Sequence, residues 1–152
     1  MKLKIKFTSD LARQIYEKRE KPLAWKEGDS SMDLSYVGDA PITVMPGKFQ
    51  KIGSGFSAQL ADVNSASWET QIRPRSGLGS KGIHVALATM DFGYIGEYWI
   101  LLYNFGEEPF VINPGDRIAQ FVVTPIAKPV IEFVETLDET NRGAKGIGSS
   151  GI

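Results

Sequence analysis

Toward its C-terminal end the chain reads Gly143-Ala144-Lys145-Gly146-Ile147-Gly148-Ser149-Ser150. Glycines let backbone N–H groups come close to an anion, and the hydroxyls of Ser149 and Ser150 add donors. Arg142 precedes them with a fixed positive charge. Gly143 and Gly148 have the separation found in a P-loop, but no lysine follows Gly148. That argues against a P-loop NTPase and leaves a glycine-rich flap able to cover phosphate groups. A second anion site is suggested by Arg73-Pro74-Arg75-Ser76-Gly77-Leu78-Gly79, where two guanidiniums and a hydroxyl flank a glycine-rich turn. An ordinary β-turn with solvated arginines has the same composition.

Carboxylates supply the other half of such chemistry. Asp91 stands in Thr89-Met90-Asp91-Phe92-Gly93-Tyr94-Ile95-Gly96-Glu97, between two apolar runs. It is placed to act as a general base or to cap a hairpin as an Asx-turn residue. Tyr94 can pack on a ligand or fill core. Asp33, flanked by Met32 and Leu34, opens a strand, and Gln120 follows in Gly115-Asp116-Arg117-Ile118-Ala119-Gln120. Asp116 and Arg117 are expected to form a structural pair or a subunit contact. The single histidine, His84, reads as a strand-face residue, and Trp68 and Trp99 as core or interface.

Composition narrows the field. The chain has 152 residues, no cysteine and a formal net charge of −1. Disulfides, thiolate metal sites and a cysteine nucleophile are excluded. Nucleic-acid binding driven by bulk positive charge is not expected. The start, MKLKIKFTSD, alternates charged and apolar residues and lacks the apolar centre of a secretion signal. No run long enough to span a membrane is visible. The expectation is a soluble, cytoplasmic domain with no membrane partner.

The elements that must position these residues are short strands. Sixteen glycines and eight prolines punctuate apolar runs, which is all-β patterning. Lys2–Phe7 alternates, with Leu3, Ile5 and Phe7 on one face. Ser9–Arg19 is the one helix candidate, capped by Ser9 and placing Leu11 and Ile15 together. Further strands are expected at Met32–Val37, Ile42–Met45, Phe49–Leu60, Trp68–Ile72, Ile83–Met90, Glu97–Asn104, Arg117–Pro125 and Val130–Leu137. Glu97–Asn104, apolar nearly throughout, is expected to be buried on both sides. Asn113-Pro114-Gly115-Asp116 fits a type II turn. About ten such strands with tight turns suggest a barrel or jelly roll. Residues 1–137 form one β domain. Residues 138–152 carry too little apolar surface to order alone and are expected to be mobile, ordering on binding.

Five of these segments, in this order, resemble the motifs of the homotrimeric dUTP diphosphatase (dUTPase) family over nearly the whole chain. Pro74–Leu78 and Gly115–Gln120 are complete second and fourth motifs. Ser30–Leu34, Ala88–Glu97 and Arg142–Gly151 are similar to the first, third and fifth. The resemblance implies a jelly-roll subunit in a three-fold trimer, with sites shared between subunits. It implies hydrolysis of dUTP to dUMP and pyrophosphate, with Mg2+ on the triphosphate. Asp91 would activate the attacking water, and Tyr94 would lie under the deoxyribose and exclude a 2′-hydroxyl. Backbone groups near Ala88 and Trp99 would hold uracil. Arg75, Ser76, Gly77 and Gln120 would hold phosphates, and Asp33 would reach magnesium through a water. Arg142, Ser149 and Ser150 would close on the distal phosphates, with Ile147 over the base.

The chain departs from the family at several points. Ile147 stands where the family has a stacking phenylalanine, Ser30 and Ser31 replace Ala-Gly, and Ala88 replaces a glycine. The segment Leu23–Asp29 is longer than is usual in the family. A rival reading on the same scaffold is a nucleotide-binding regulatory or partner-binding protein with weak turnover.

Overall fold

A computed structural model describes residues 1–18, 23, 27–64, 67–144 and 146. Ten strands and two helices follow in the order β1 (Lys2–Phe7), α1 (Asp10–Lys18), β2 (Met32–Ser35), β3 (Ile42–Val44), β4 (Phe49–Ala61), β5 (Trp68–Arg73), α2 (Ser76–Gly79), β6 (Ile83–Val85), β7 (Ala88–Met90), β8 (Glu97–Asn104), β9 (Phe110–Ile112) and β10 (Arg117–Pro125). One sheet has the order β1-β4-β8-β6, a second β2-β10-β5-β7, and β3 pairs with β9. All pairings are antiparallel. The two larger sheets bury Leu34, Phe56, Ile72, Ile100, Leu102 and Phe121 in one core, as the jelly-roll expectation requires.

Alternation sets which side chains face that core. In β5, Thr70 and Ile72 are buried while Glu69, Gln71 and Arg73 point outward. In β10, Phe121 faces inward and Gln120 outward. Ser9 caps α1 as expected, accepting the Ala12 N–H at 3.0 Å. The buried face of α1 is Ala12 and Tyr16, not Leu11 and Ile15. Gly55, at φ +81°, explains this: a Cβ there would sit 2.9 Å from the Ala12 methyl, so only a small residue fits against the bulge. The Tyr16 hydroxyl then donates to the Ser54 carbonyl at 2.7 Å and accepts the Ser35 N–H at 3.2 Å, tying α1 to β4 and β2.

Several expectations change. Ile83–Met90 is two strands in different sheets, because Ala86 and Leu87 carry the chain across from β8 to β5. Glu97–Asn104 buries only Tyr98, Ile100, Leu102 and Asn104; its other face stays open, with the Lys51 ammonium 4.1 Å from the Trp99 ring centroid. Phe110–Ile112 is a strand the sequence did not announce. Val130–Leu137 is not a strand: it pairs with none of the sheet edges of its own chain, and Val130 and Phe133 are each 96% exposed. The Asn113–Asp116 turn is as expected, with Gly115 at φ +91° and the Asp116 N–H donating to the Asn113 carbonyl at 3.0 Å. Among the described residues no helix is long and apolar enough to cross a membrane.

Candidate functional site

The register of the second sheet creates a polar row. Gln120 on β10 pairs with Asp33 on β2 and with Arg73 on β5, and all three side chains lie on the outer face. Asp33 anchors this end of the sheet. Its Oδ1 accepts Arg75 Nε at 3.0 Å and its Oδ2 accepts Arg117 Nη1 at 2.9 Å. Arg75 Nη1 also donates to the Arg117 carbonyl at 2.7 Å. Arg75 is thus fixed on two sides, with its remaining N–H groups free to meet an anion. Arg117 pairs with Asp33 and not with its neighbour Asp116, which accepts the Asn113 N–H at 2.8 Å and closes the turn.

Arg75 opens α2, a single turn. The amides of Leu78 and Gly79 bond back to the Arg75 carbonyl, at 3.1 and 3.0 Å. Those of Ser76 and Gly77, at the start of the turn, have no acceptor among the described residues. Space is open where a Cβ on Gly77 would stand. Arg75, Ser76 and Gly77 thus offer donors at consecutive positions, and Gln120 stands beside Asp33, which holds Arg75.

The connection from β7 to β8 holds the second group. The Tyr94 N–H donates to the Asp91 carbonyl at 2.9 Å, making a turn. The Asp91 side chain is exposed and has neither ion pair nor hydrogen bond among the described residues. It lines a cavity of about 390 Å³ together with Trp68, Glu69, Phe92, Gly93, Ile126 and Lys128. Tyr94 is held from three sides. Its hydroxyl donates to the Glu97 carbonyl at 2.8 Å, its ring packs edge-on to Tyr98 at 5.8 Å, and it covers Gly96 so closely that a Cβ there would be 2.5 Å from the hydroxyl. Burial, with a smaller contribution from Tyr94, pushes the Tyr98 hydroxyl above the usual phenol range; its hydrogen bond with Thr70 at 3.1 Å works the other way. Tyr98 is therefore a neutral support at physiological pH.

Ala88 lies in β7, at the edge of its sheet. Trp99 lies in β8, where the backbone of Glu97–Ile100 faces away from β4 along an edge that β6 does not cover. Two backbone edges thus have no strand partner among the described residues, as recognition of a planar polar ring requires.

In one chain the two groups stand apart. In the β5–β7 register Thr70 faces Met90, so Asp91 lies level with Glu69, while Arg75 follows Arg73 at the far end of β5. Four residues of extended chain separate these levels, roughly 13 Å. A cavity of about 620 Å³ between the sheets, lined by Leu3, Ile5, Met32, Leu60, Trp68 and Val123, is apolar and contains none of these groups.

Arg142 lies on the exposed tail, inside a turn closed by the Gly143 N–H, which donates to the Thr140 carbonyl at 3.0 Å with Gly143 at φ +54°. Ile147, Ser149 and Ser150 lie outside the described residues. No group of three His, Asp or Glu residues suited to a metal ion occurs among the described residues. Asp33 accepts one guanidinium on each oxygen, which leaves a lone pair on each for a water, and it has no further carboxylate or histidine grouped with it among the described residues. The sequence reading paired Arg117 with Asp116 instead of Asp33, and it missed the supporting residues Tyr98 and Gly96. The complete Gly-Asp-Arg-Ile-Ala-Gln segment was a signal for Arg117.

Comparison with known proteins gives one answer. The sequence pattern of the dUTPase family matches residues 24–151. The deoxyuridine 5'-triphosphate nucleotidohydrolase of Rhizobium etli is 41% identical over 138 residues, covering 88% of this chain and 86% of the relative. That of Rickettsia felis is 43% identical over 129 residues, covering 83% and 84%. Among solved structures, the dUTPase of Staphylococcus bacteriophage 80alpha with dUPNHPP aligns over 99% of both chains, with a TM-score of 0.76 at 22% identity. A dUTPase of phage phi11 of S. aureus, described with a structural Mg(II) ion, aligns over 91% of this chain and all of its own with a TM-score of 0.73 at 19% identity. With the pattern running across more than four-fifths of its length, the chain belongs to the dUTPase family.

Proposed function

We propose that the protein is a dUTP diphosphatase, hydrolysing dUTP to dUMP and pyrophosphate. The observation that carries this reading, beyond family membership, is the contrast between a carboxylate left free, Asp91, and a set of phosphate donors held in place at Arg75, Ser76, Gly77 and Gln120. Phosphoryl transfer needs mostly that: positioning, charge neutralisation and one group to orient the nucleophile. Asp91 takes a proton from water as its oxygen bonds to the α-phosphorus. The bond from that phosphorus to the bridging oxygen breaks, and pyrophosphate leaves. Tyr94, fixed by Glu97 and Tyr98, lies beneath the sugar and excludes a 2′-hydroxyl. The free edges at Ala88 and Trp99 hold the uracil. Magnesium arrives as part of the substrate, on the triphosphate, where it offsets phosphate charge. Asp33 acts there chiefly through the arginines that it holds.

The reaction requires Asp91 and the phosphate donors at one substrate, yet they lie at opposite ends of β5. A homotrimer whose sites draw on more than one subunit resolves this, and the exposed apolar side chains of Val130, Ile131, Phe133 and Leu137 support burial of that segment against another copy. Residues 1–137 are the β domain, and 138–152 close over the nucleotide, bringing Arg142, Ser149 and Ser150 to the distal phosphates. A cytoplasmic location suits an enzyme acting on free nucleotides.

The test is pyrophosphate release from dUTP, dTTP, dCTP and UTP, with and without magnesium, beside an Asp91→Asn control. Release from dUTP alone, lost in the control, is expected. A folded protein that releases pyrophosphate from none of them would favour a nucleotide-binding regulator.

A further inference from the structure

The outer face of β5 carries a relay that the proposed mechanism does not use. Gln71 Nε2 donates to Glu69 Oε1, and Gln71 Oε1 accepts Arg73 Nε at 2.7 Å. Glu69 thus turns the Gln71 amide so that its oxygen faces Arg73. The guanidinium is oriented by a neutral group, and no carboxylate pairs with it among the described residues. Its charge stays uncompensated, and its outer N–H groups stay available. Register places Arg73 directly beside Gln120, which is itself beside Asp33. That end of the sheet carries three guanidiniums, of Arg73, Arg75 and Arg117, and Asp33 pairs with the last two, so the surplus is positive. A guanidinium serving only the fold would gain more from an acidic partner than from an amide.

We infer that Arg73 is a further phosphate-binding residue, with Gln71 and Glu69 as its positioning residues, and that it contacts the phosphate chain of the nucleotide next to Gln120. Arg73 lies just outside the Pro74–Leu78 motif, so it extends the phosphate site beyond the positions that the motif supplies. This rests on the dUTPase reading above for the identity of the nucleotide, although not for the phosphate chemistry.

The experiment compares the full-length protein with Arg73→Gln, Arg73→Lys and Gln71→Leu, measuring dUTP hydrolysis, inhibition by tripolyphosphate and thermal midpoint. Arg73→Gln is expected to raise KM for dUTP and the inhibition constant of tripolyphosphate roughly tenfold, with a smaller fall in kcat. Arg73→Lys should recover most of the loss, and Gln71→Leu should give a smaller loss of the same kind. The dependence of KM on salt should flatten in Arg73→Gln, because one phosphate contact is gone. Unchanged constants in Arg73→Gln would overturn the inference. So would a loss that Arg73→Lys fails to recover and that follows a lowered thermal midpoint. If the unaltered protein does not hydrolyse dUTP, the function is wrong. Arg73 is then judged by calorimetry with tripolyphosphate, where equal binding by the unaltered protein and Arg73→Gln overturns it.

Discussion

Asp33 and Asp91 are the same residue type put to opposite uses. Asp33, 19% exposed at its side chain, spends both oxygens on Arg75 and Arg117. Asp91 is exposed at the start of a turn and has no side-chain partner among the described residues. A carboxylate enclosed by guanidiniums is a structural anion: it holds cations where a substrate can use them. A carboxylate kept unpaired at a cavity can orient water. The regions around them differ in the same sense. The sheet end is fixed by charge and backbone register, whereas the turn is fixed by packing of Tyr94 on Tyr98 and Gly96.

The sharpest way to break that comparison is Asp91→Asn. It removes the base while keeping the shape, so kcat for dUTP should fall by about a thousandfold with KM and thermal midpoint nearly unchanged. A similar loss of kcat from Asp33→Asn alone would mean that the two carboxylates do not divide the work as described. Asp33→Asn should instead lower kcat/KM by roughly 10- to 100-fold through misplaced arginines and cost about 2 kcal/mol of stability, seen in a denaturant titration. Its magnesium dependence should keep the form it has in the unaltered protein. A selective loss of the magnesium response would restore Asp33 as a holder of metal-bound water.

Gly96→Ala probes the packed region. A methyl group 2.5 Å from the Tyr94 hydroxyl must displace the ring. The ratio of kcat/KM for dUTP over UTP should drop several-fold, on the scale of about 1 kcal/mol for a misplaced contact, while turnover of dUTP suffers less. The last probe is at the flap. Ile147→Phe supplies a flat face for the base, and stacking is worth about 1–3 kcal/mol in single-strand binding. KM should fall severalfold, and an equal KM in both proteins would show that isoleucine covers the base as well as phenylalanine.

Much of this was legible beforehand. Period-two alternation located β1 and β5, apolar runs between turns located β4, β8 and β10, and the Pro114-Gly115 pair announced its turn. The candidate residues were found because the motifs are local: Pro74–Leu78 and Gly115–Gln120 each present their donors within a few residues. What failed to show was relational. Val130–Leu137 has the composition of a strand, but a strand needs a paired edge, and this segment meets none of those its own chain offers. Glu97–Asn104 looked buried on both faces because hydropathy reports residue type and not what covers it. Gly96 and Tyr98 went unremarked because their work is done through Tyr94.

The amino-acid sequence by itself determined the menu of short strands and turns, the exclusion of thiol chemistry, and the order of five phosphate- and base-directed segments. It did so because alternation, turn residues and motifs are properties of neighbours. The tertiary structure alone decided that Asp33 holds Arg75 and Arg117, that Arg73 stands beside Gln120, and that Asp91 lies at the far end of β5 from the phosphate donors. Those contacts join residues 42 and 84 positions apart. Such distant pairs meet only once sheet order and register are fixed, and register is set by the packing of a shared core that no local stretch of sequence contains.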